Sequence, residues 1–311
     1  MAFLNAPGAY LPGRIVGNQP MADALGVTPE WIYGVSGIEE RRYAEAGETV
    51  ASMAVAAARD CLARAGMKAN EIGMVLVASG SSERRFPGPA ATVASGLGLA
   101  GAAALDLPMA SAGSLFALSL ASHLTEKYRN VLVIGAEKMS AIVRHEPLDR
   151  NVDILFGDGA GACVVSAGAG KARIIDSLIE TDGAFAEDLK LEFGQPLDMN
   201  GRSVIMQASR KVPRAILALL RRNNVDPADV EVFLMHQANQ NLIDRVARGI
   251  GVSPSKFYSN IAHYGNTSSA SMLIAAAEWW AASGGPKPGV PICFAAFGAG
   301  FQWGAVLASG V

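Results

Sequence analysis

Charge is what this sequence has least of. Asp, Glu, Lys and Arg make up only 17% of its 311 residues against 50% hydrophobic ones, and 26 basic side chains nearly cancel 28 acidic ones, leaving −2. So balanced a chain has no bulk attraction for nucleic acid or an anionic membrane surface, and any anion it binds must be met by a local group. Cysteine is scarce too. Cys61, Cys163 and Cys293 are odd in number, far apart and never paired as C-x-x-C, which argues against a disulfide framework or a zinc site and fits a reducing, cytoplasmic setting. The start, MAFLNAPGAYLPGR, lacks the basic opening and unbroken apolar core of an export signal. Leu97 to Leu120 is apolar enough to pass for a membrane span, but Asp106, Pro108 and several Gly and Ser residues interrupt it. It reads as a buried strand and helix of a globular core, and no transmembrane segment is expected.

What the chain does contain is an ordered alternation of apolar runs. Val50 to Ala65 carries Ala, Met and Leu at helical spacing and stops before Gly66; Ile72 to Ala78 and Val131 to Ala136 are compact buried strands; a helix is expected from about Ala90 to Leu97. The second half repeats the order. VEVFLM at 230–235 is a strand, HQANQNLIDRVARGIG a loop and helix, FYSNIAHYGNTSSASMLIAAAEWWAA a strand and helix, and VPICFAAFGAGFQWG a strand. Two copies of one strand and helix pattern, 1–167 and 172–311, are hard to obtain by chance. Ser203 to Arg222 is a further helix with several arginines, in which Pro213 predicts a kink or break.

The stretch ALDLPMASAGSLFALSLASHL at 104–124 is where the repeat acquires chemistry. A short apolar strand ends in small residues and turns into a helix at Ser111, and unpaired N–H groups at a helix start favour negative charge. In the second half the polar residues at the corresponding strand ends are His236, in MHQAN, and Asn266, in YGNTSSAS. These three are the candidate catalytic residues.

Five ordered motifs, EWIYGVSGIEERR, FGDGAGA, HQAN, HYGNTSSAS and FGAGFQWG, resemble those of the beta-ketoacyl-acyl-carrier-protein synthase III family, from about Tyr10 to Ala308. The resemblance implies a thiolase-like α/β fold, two duplicated halves forming a layered α-β-α-β-α arrangement, and a homodimer. It implies an enzyme that takes an acyl group from acyl-CoA and condenses it with a malonyl thioester on an acyl carrier protein, with loss of carbon dioxide. Coenzyme A is then a substrate, and neither cofactor nor metal is implied. His236 and Asn266 match the pair that holds the malonyl thioester carbonyl, while the backbone N–H groups of Ala299 and Ser111 match the oxyanion hole. Trp31 and Arg150 resemble the adenine-binding pair, Asn239 the tunnel asparagine, Phe297 the gating phenylalanine, and Phe86 the residue a partner subunit inserts into the acyl pocket.

The family carries cysteine where this chain has Ser111. A helix terminus contributes at most about 2 kcal/mol, roughly 1.5 pKa units, which helps ionise a thiol but not an alcohol. Ser111 would therefore need His236 as general base. It is either a change made to trap substrate or the residue of a natural serine member; an acyltransferase without condensation and a non-catalytic partner subunit are the rival readings. Val35, Met206 and Asn241 stand where mainstream members carry basic residues; Arg84, Arg85 and Arg202 are the local replacements, and one beside the acyl pocket would select a dicarboxylic acyl group.

Overall fold

The computed structural model describes residues 1–143, 148–192 and 194–311. Its centre is a ten-stranded sheet. The strands are β1 (Ala2–Leu4), β2 (Gly8–Tyr10), β3 (Met74–Ala78), β4 (Ala103–Leu107), β5 (Asn130–Lys138), β6 (Asp158–Ala167), β7 (Ala172–Thr181), β8 (Phe233–Met235), β9 (Pro291–Gly298) and β10 (Gln302–Gly310). The main helices are α1 (Pro29–Ser36), α2 (Val50–Ala65), α3 (Pro89–Gly96), α4 (Gly113–Tyr128), α5 (Gly201–Arg222), α6 (Gln240–Gly249) and α7 (Ser271–Ser283). Local chemistry sets their ends. In α2, Thr49 and Ser52 form a reciprocal capping box and Gly66, at φ 65°, takes the left-handed turn that stops the helix.

The sheet runs β8-β9-β10-β7-β1-β6-β5-β3-β4, with β2 on β6. Outward from the β1/β7 junction each side reads alike: two antiparallel steps, β1 to β6 to β5 and β7 to β10 to β9, then a parallel step to β3 or β8. The first half adds β4 in parallel. Among the described residues the second half adds no fifth strand to this sheet, contrary to the expectation for the segment from Phe257. A single bridge joins Phe257 to Phe233, and beyond it the Gln237 side chain binds Asn260 N and the Ser259 hydroxyl where a strand would use a neighbouring backbone.

Three cores make five layers. The strands of the first half pack on α2 and α3 outside, those of the second half on α5 and α6 outside, and α4 and α7 lie between the two halves of the sheet. These central helices are apolar nearly all round, as helices covered on both sides must be. The expected break at Pro213 is absent: α5 continues from Gly201 to Arg222, with the buried proline ring against Gly249 of α6, where an added Cβ would come within 3.0 Å. No helix of the described residues is long and apolar enough to cross a membrane.

Candidate active site

Between β4 and α4 the chain makes a tight turn in which Ser111 has φ 58°, a left-handed conformation uncommon outside glycine. Ala112 is the N-cap of α4 and no side chain caps the helix, so the Ser111 hydroxyl is not spent on capping. The end of β9 packs directly on this turn. A Cβ on Gly298 would lie 2.6 Å from the Ala110 carbonyl, 2.8 Å from Ala112 N and 3.1 Å from the Ser111 Cβ, so only glycine lets Ala299 approach Ser111.

Ser111, His236 and Asn266 line one cavity of about 640 Å³, together with Trp31, Asn239, Phe297 and Ala299. Ser268, which the sequence reading passed over, ties them together. Its hydroxyl accepts the Ser111 N–H at 2.9 Å and its N–H donates to Asn266 Oδ1 at 2.9 Å. Its carbonyl accepts the Ser271 hydroxyl at 3.0 Å, and Ser271 Oγ lies 2.6 Å from His236 Nδ1. With Asn266 Oδ1 committed, the Nδ2 donors of that amide are left for the cavity.

Burial pushes His236 down to about 4, offset in part by the Ser268 carbonyl, so the imidazole is neutral at pH 7. The Ser271 proton sets its tautomer. Directed at Ser268, it leaves Nδ1 to carry the ring hydrogen and Nε2 a lone pair; directed at Nδ1, it leaves Nε2 as a donor. Ser111 Oγ makes no hydrogen bond to His236, and among the described residues its one side-chain hydrogen-bond contact is Ser268 Oγ at 3.5 Å. The three cysteines offer no substitute nucleophile. All are buried, burial raises each thiol, and Cys61 and Cys293 reach about 12.

The other expected residues divide. The Arg150 guanidinium lies over the Trp31 ring, 5.8 Å from its centroid, at one rim of the cavity. Asn239 caps α6 and donates to the Val35 carbonyl at 2.8 Å, and Asn241 donates to Gly34 and Val35, so both fasten α6 to α1. Phe297 is buried against Phe301, with ring centroids 4.7 Å apart. Phe86 is 86% exposed and takes no part in lining its own chain's cavity. Arg84 and Arg85 are likewise exposed and away from it, whereas Arg202 lines it from a solvent-exposed position. Met139, Ile142, Leu155, Phe156 and Leu197 give the cavity an apolar stretch, and Lys190 lines it as well. Among the described residues, no cluster of three or more His, Cys, Asp or Glu is arranged to hold a metal.

Comparison with known proteins identifies the family. Residues 105–183 match the family described as 3-oxoacyl-[acyl-carrier-protein (ACP)] synthase III, and residues 220–309 match its C-terminal counterpart. The chain is 35% identical to the beta-ketoacyl-[acyl-carrier-protein] synthase III of Oleidesulfovibrio alaskensis, over 96% of each chain. With that of Roseobacter denitrificans it shares 37%, over 98% of each. The crystal structure of 3-oxoacyl-[acyl-carrier-protein] synthase III from Aquifex aeolicus superposes with a TM-score of 0.94 at 34% identity, covering 99% of this chain and 100% of that one. The priming beta-ketosynthase of the R1128 polyketide pathway superposes at 0.91 with 31% identity, covering 100% and 96%. With relatives this similar along nearly its whole length, and with a thiolase-like layered fold, the chain belongs to the 3-oxoacyl-[acyl-carrier-protein] synthase III family of condensing enzymes.

Proposed function

We propose that the chain carries out acyl transfer from coenzyme A and decarboxylative condensation with a malonyl thioester on an acyl carrier protein, residue 111 bearing the acyl group. The observation that carries this reading is the bonding through Ser268, which gathers Ser111, Asn266 and, by way of Ser271, His236 at one wall of an apolar cavity. In the first step the residue-111 nucleophile attacks the thioester carbonyl. Its bond to the acyl carbon forms, the carbon–sulfur bond breaks, and the proton of residue 111 ends on the departing coenzyme A sulfur. Ala299 N–H is the donor to the carbonyl oxygen; the expected second donor, Ser111 N–H, stays on Ser268 Oγ, which fixes the position of the residue-111 side chain. In the second step the malonyl carbon–carboxylate bond breaks, carbon dioxide leaves, and the electron pair becomes an enolate. Asn266 Nδ2 and, with the Ser271 proton turned from Ser268 to Nδ1, the Nε2–H of His236 hold its oxygen. The enolate carbon then attacks the acyl carbonyl and expels residue 111.

Loading is the slow step with serine at 111. Among the described residues nothing within hydrogen-bonding distance of Ser111 Oγ is a base, and the helix start cannot ionise an alcohol near neutrality. Ser111→Cys is expected to speed acyl loading by about 10²-fold or more, read by intact-mass spectrometry after incubation with a panel of acyl-CoA thioesters. A serine form that loads at the rate of the cysteine form, and loses loading in His236→Ala, would instead favour the acyltransferase reading. A lone pair on Nε2, available when Ser271 turns to Ser268, suits that reading. If neither form gains an acyl mass nor decarboxylates malonyl thioester, the binding-subunit reading takes their place.

Two surfaces support the partners. β4 ends the sheet with an open edge, Leu105 is 46% exposed on it, and Phe86 stands out nearby. An unpaired apolar edge is a liability that a second copy would cover. Light scattering is expected to show a dimer, and Leu105→Arg a monomer. Along α5 the exposed Arg202, Met206, Arg210 and Arg214 recur every fourth residue, and none of these arginines is in a salt bridge among the described residues. That stripe, beginning at the cavity, suits an acidic carrier protein.

A further inference from the structure

Glu137, near the end of β5, is a carboxylate that solvent does not reach, and no lysine or arginine pairs with it among the described residues. Donors surround it instead. Gly80 N–H lies 3.1 and 3.0 Å from its two oxygens, the Ser81 hydroxyl 2.5 Å, the Ser79 hydroxyl 3.3 Å and Ser269 N–H 3.3 Å. The Ser81 oxygen is itself occupied by Lys138 N–H at 2.8 Å, so its proton is free to point at the carboxylate. Burial raises the Glu137 carboxyl above the usual range, while these donors favour its ionised form.

Both segments it gathers touch the nucleophile turn. A Cβ on Gly80 would come within 2.7 Å of the Ala110 Cβ. Ser269 follows Ser268, its hydroxyl donates to the Ala78 carbonyl at 2.9 Å, and a Cβ on Gly135 would meet its carbonyl at 2.2 Å. β3 and β5 of the first half thus form the bed on which the serine turn of the second half rests.

We propose that Glu137 is a positioning residue for the reaction at position 111, acting through Ser269 and Ser268. Its carboxylate draws the N–H groups of Gly80 and Ser269 to one point and so keeps Ser268 Oγ on the Ser111 N–H and Ser268 N–H on Asn266. Glutamine is a poor replacement: its carbonyl can still accept the Gly80 and Ser269 N–H groups, which share one oxygen, but its NH₂ falls where the Ser79 and Ser81 hydroxyls donate, and the charge that strengthens every one of these bonds is lost. The inference deepens the proposed reaction, on which only the kinetic arm of its test rests.

The first arm is amide hydrogen exchange in Glu137→Gln. Gly80 and Ser269 are expected to exchange faster, and so is Ser111, which does not touch Glu137, by about tenfold or more. Asp158→Asn is the comparison: that carboxylate is equally buried on β6 but binds Ser140 and Ala44, so it should cost thermal stability without changing Ser111 exchange. Loss of protection at Gly80 and Ser269 with Ser111 unchanged overturns the proposal. The second arm, with cysteine at 111, expects the limiting rate of acyl loading to fall about tenfold and the half-saturating acyl-CoA concentration to stay within about twofold. A loss confined to affinity or to thermal stability overturns it. If the cysteine protein loads nothing, the proposed function fails and the exchange arm still decides. Should Glu137→Gln not fold, Ser81→Ala removes the shortest donor together with the acceptor of Lys138 N–H, with Ser111 exchange expected to rise about threefold; unchanged exchange there is equally fatal.

Discussion

Ser111, at φ 58°, and Ser268, at φ 47°, hold the same left-handed backbone, one in each half, the first just before α4 and the second just before α7. Left-handed non-glycine residues cost on the order of 1–3 kcal/mol and persist only where their surroundings over-determine them. At Ser268 every polar group is used: the N–H on Asn266, the carbonyl on Ser271, the hydroxyl on Ser111 N–H. At Ser111 the N–H is held by the other turn and the hydroxyl is left facing the cavity. Neither residue type nor backbone conformation separates the scaffold serine from the reactive position. The difference lies in which bonds the neighbours leave open.

Asn266 is where that contrast breaks most sharply, because it anchors one turn and serves the other. Asn266→Ala is expected to slow malonyl-thioester decarboxylation by about 10²- to 10³-fold, measured by release of carbon dioxide. Asn266→Asp sharpens the test. It keeps the Oδ1 acceptor for Ser268 N–H but removes the Nδ2 donor, so a comparable loss with the turn intact assigns the effect to the donor.

The next effect is on stability and reports the second turn through Ser271. His236 stands at about 4 in the fold against about 6.5 unfolded, so between those values the unfolded chain binds more protons. Its contribution is present above about pH 6.5 and is lost as pH falls toward 4, about 3 kcal/mol in all. Urea denaturation from pH 7 to 4 should show this slope, and His236→Gln should flatten it. A wild-type slope unchanged in the variant would mean that other groups account for acid sensitivity.

Ser268→Ala is expected to have the smallest effect. It removes one hydrogen bond, the acceptor for Ser111 N–H, and should slow acyl loading of the cysteine form about five- to tenfold while leaving decarboxylation within about twofold. An equal fall in both activities would mean that the hydroxyl holds the whole turn, not the nucleophile side alone.

Legibility followed the range of the interactions involved. The helices α2 and α4 and the strands β3 and β5 were readable because apolar spacing, Gly66 and the capping Thr49 act within a few residues. Ser111 and His236 stood out as polar residues at the ends of apolar strands and Asn266 at the end of an expected strand that the structure replaces with a short helix (Ile261–Tyr264), and the motifs around them carried the family. Ser268 and Ser271 lay in the same quoted run, YGNTSSAS, yet nothing local distinguished them from its other serines. The missing fifth strand of the second half escaped notice because Gln237, more than 20 residues away in sequence, takes its hydrogen bonds.

By itself the sequence determined most of the alternation of strands and helices, the polar residues His236 and Asn266 and the hydroxyl at 111, since all of these depend on residue identity and short-range spacing. Tertiary structure alone decided that Ser268 of one half holds the N–H of Ser111 in the other, that Gly298 lets β9 close on that turn, and that Glu137 gathers donors from both halves. Each of these is a contact between segments far apart in the chain, set when the two sheet halves close over α4 and α7, and no periodicity records it.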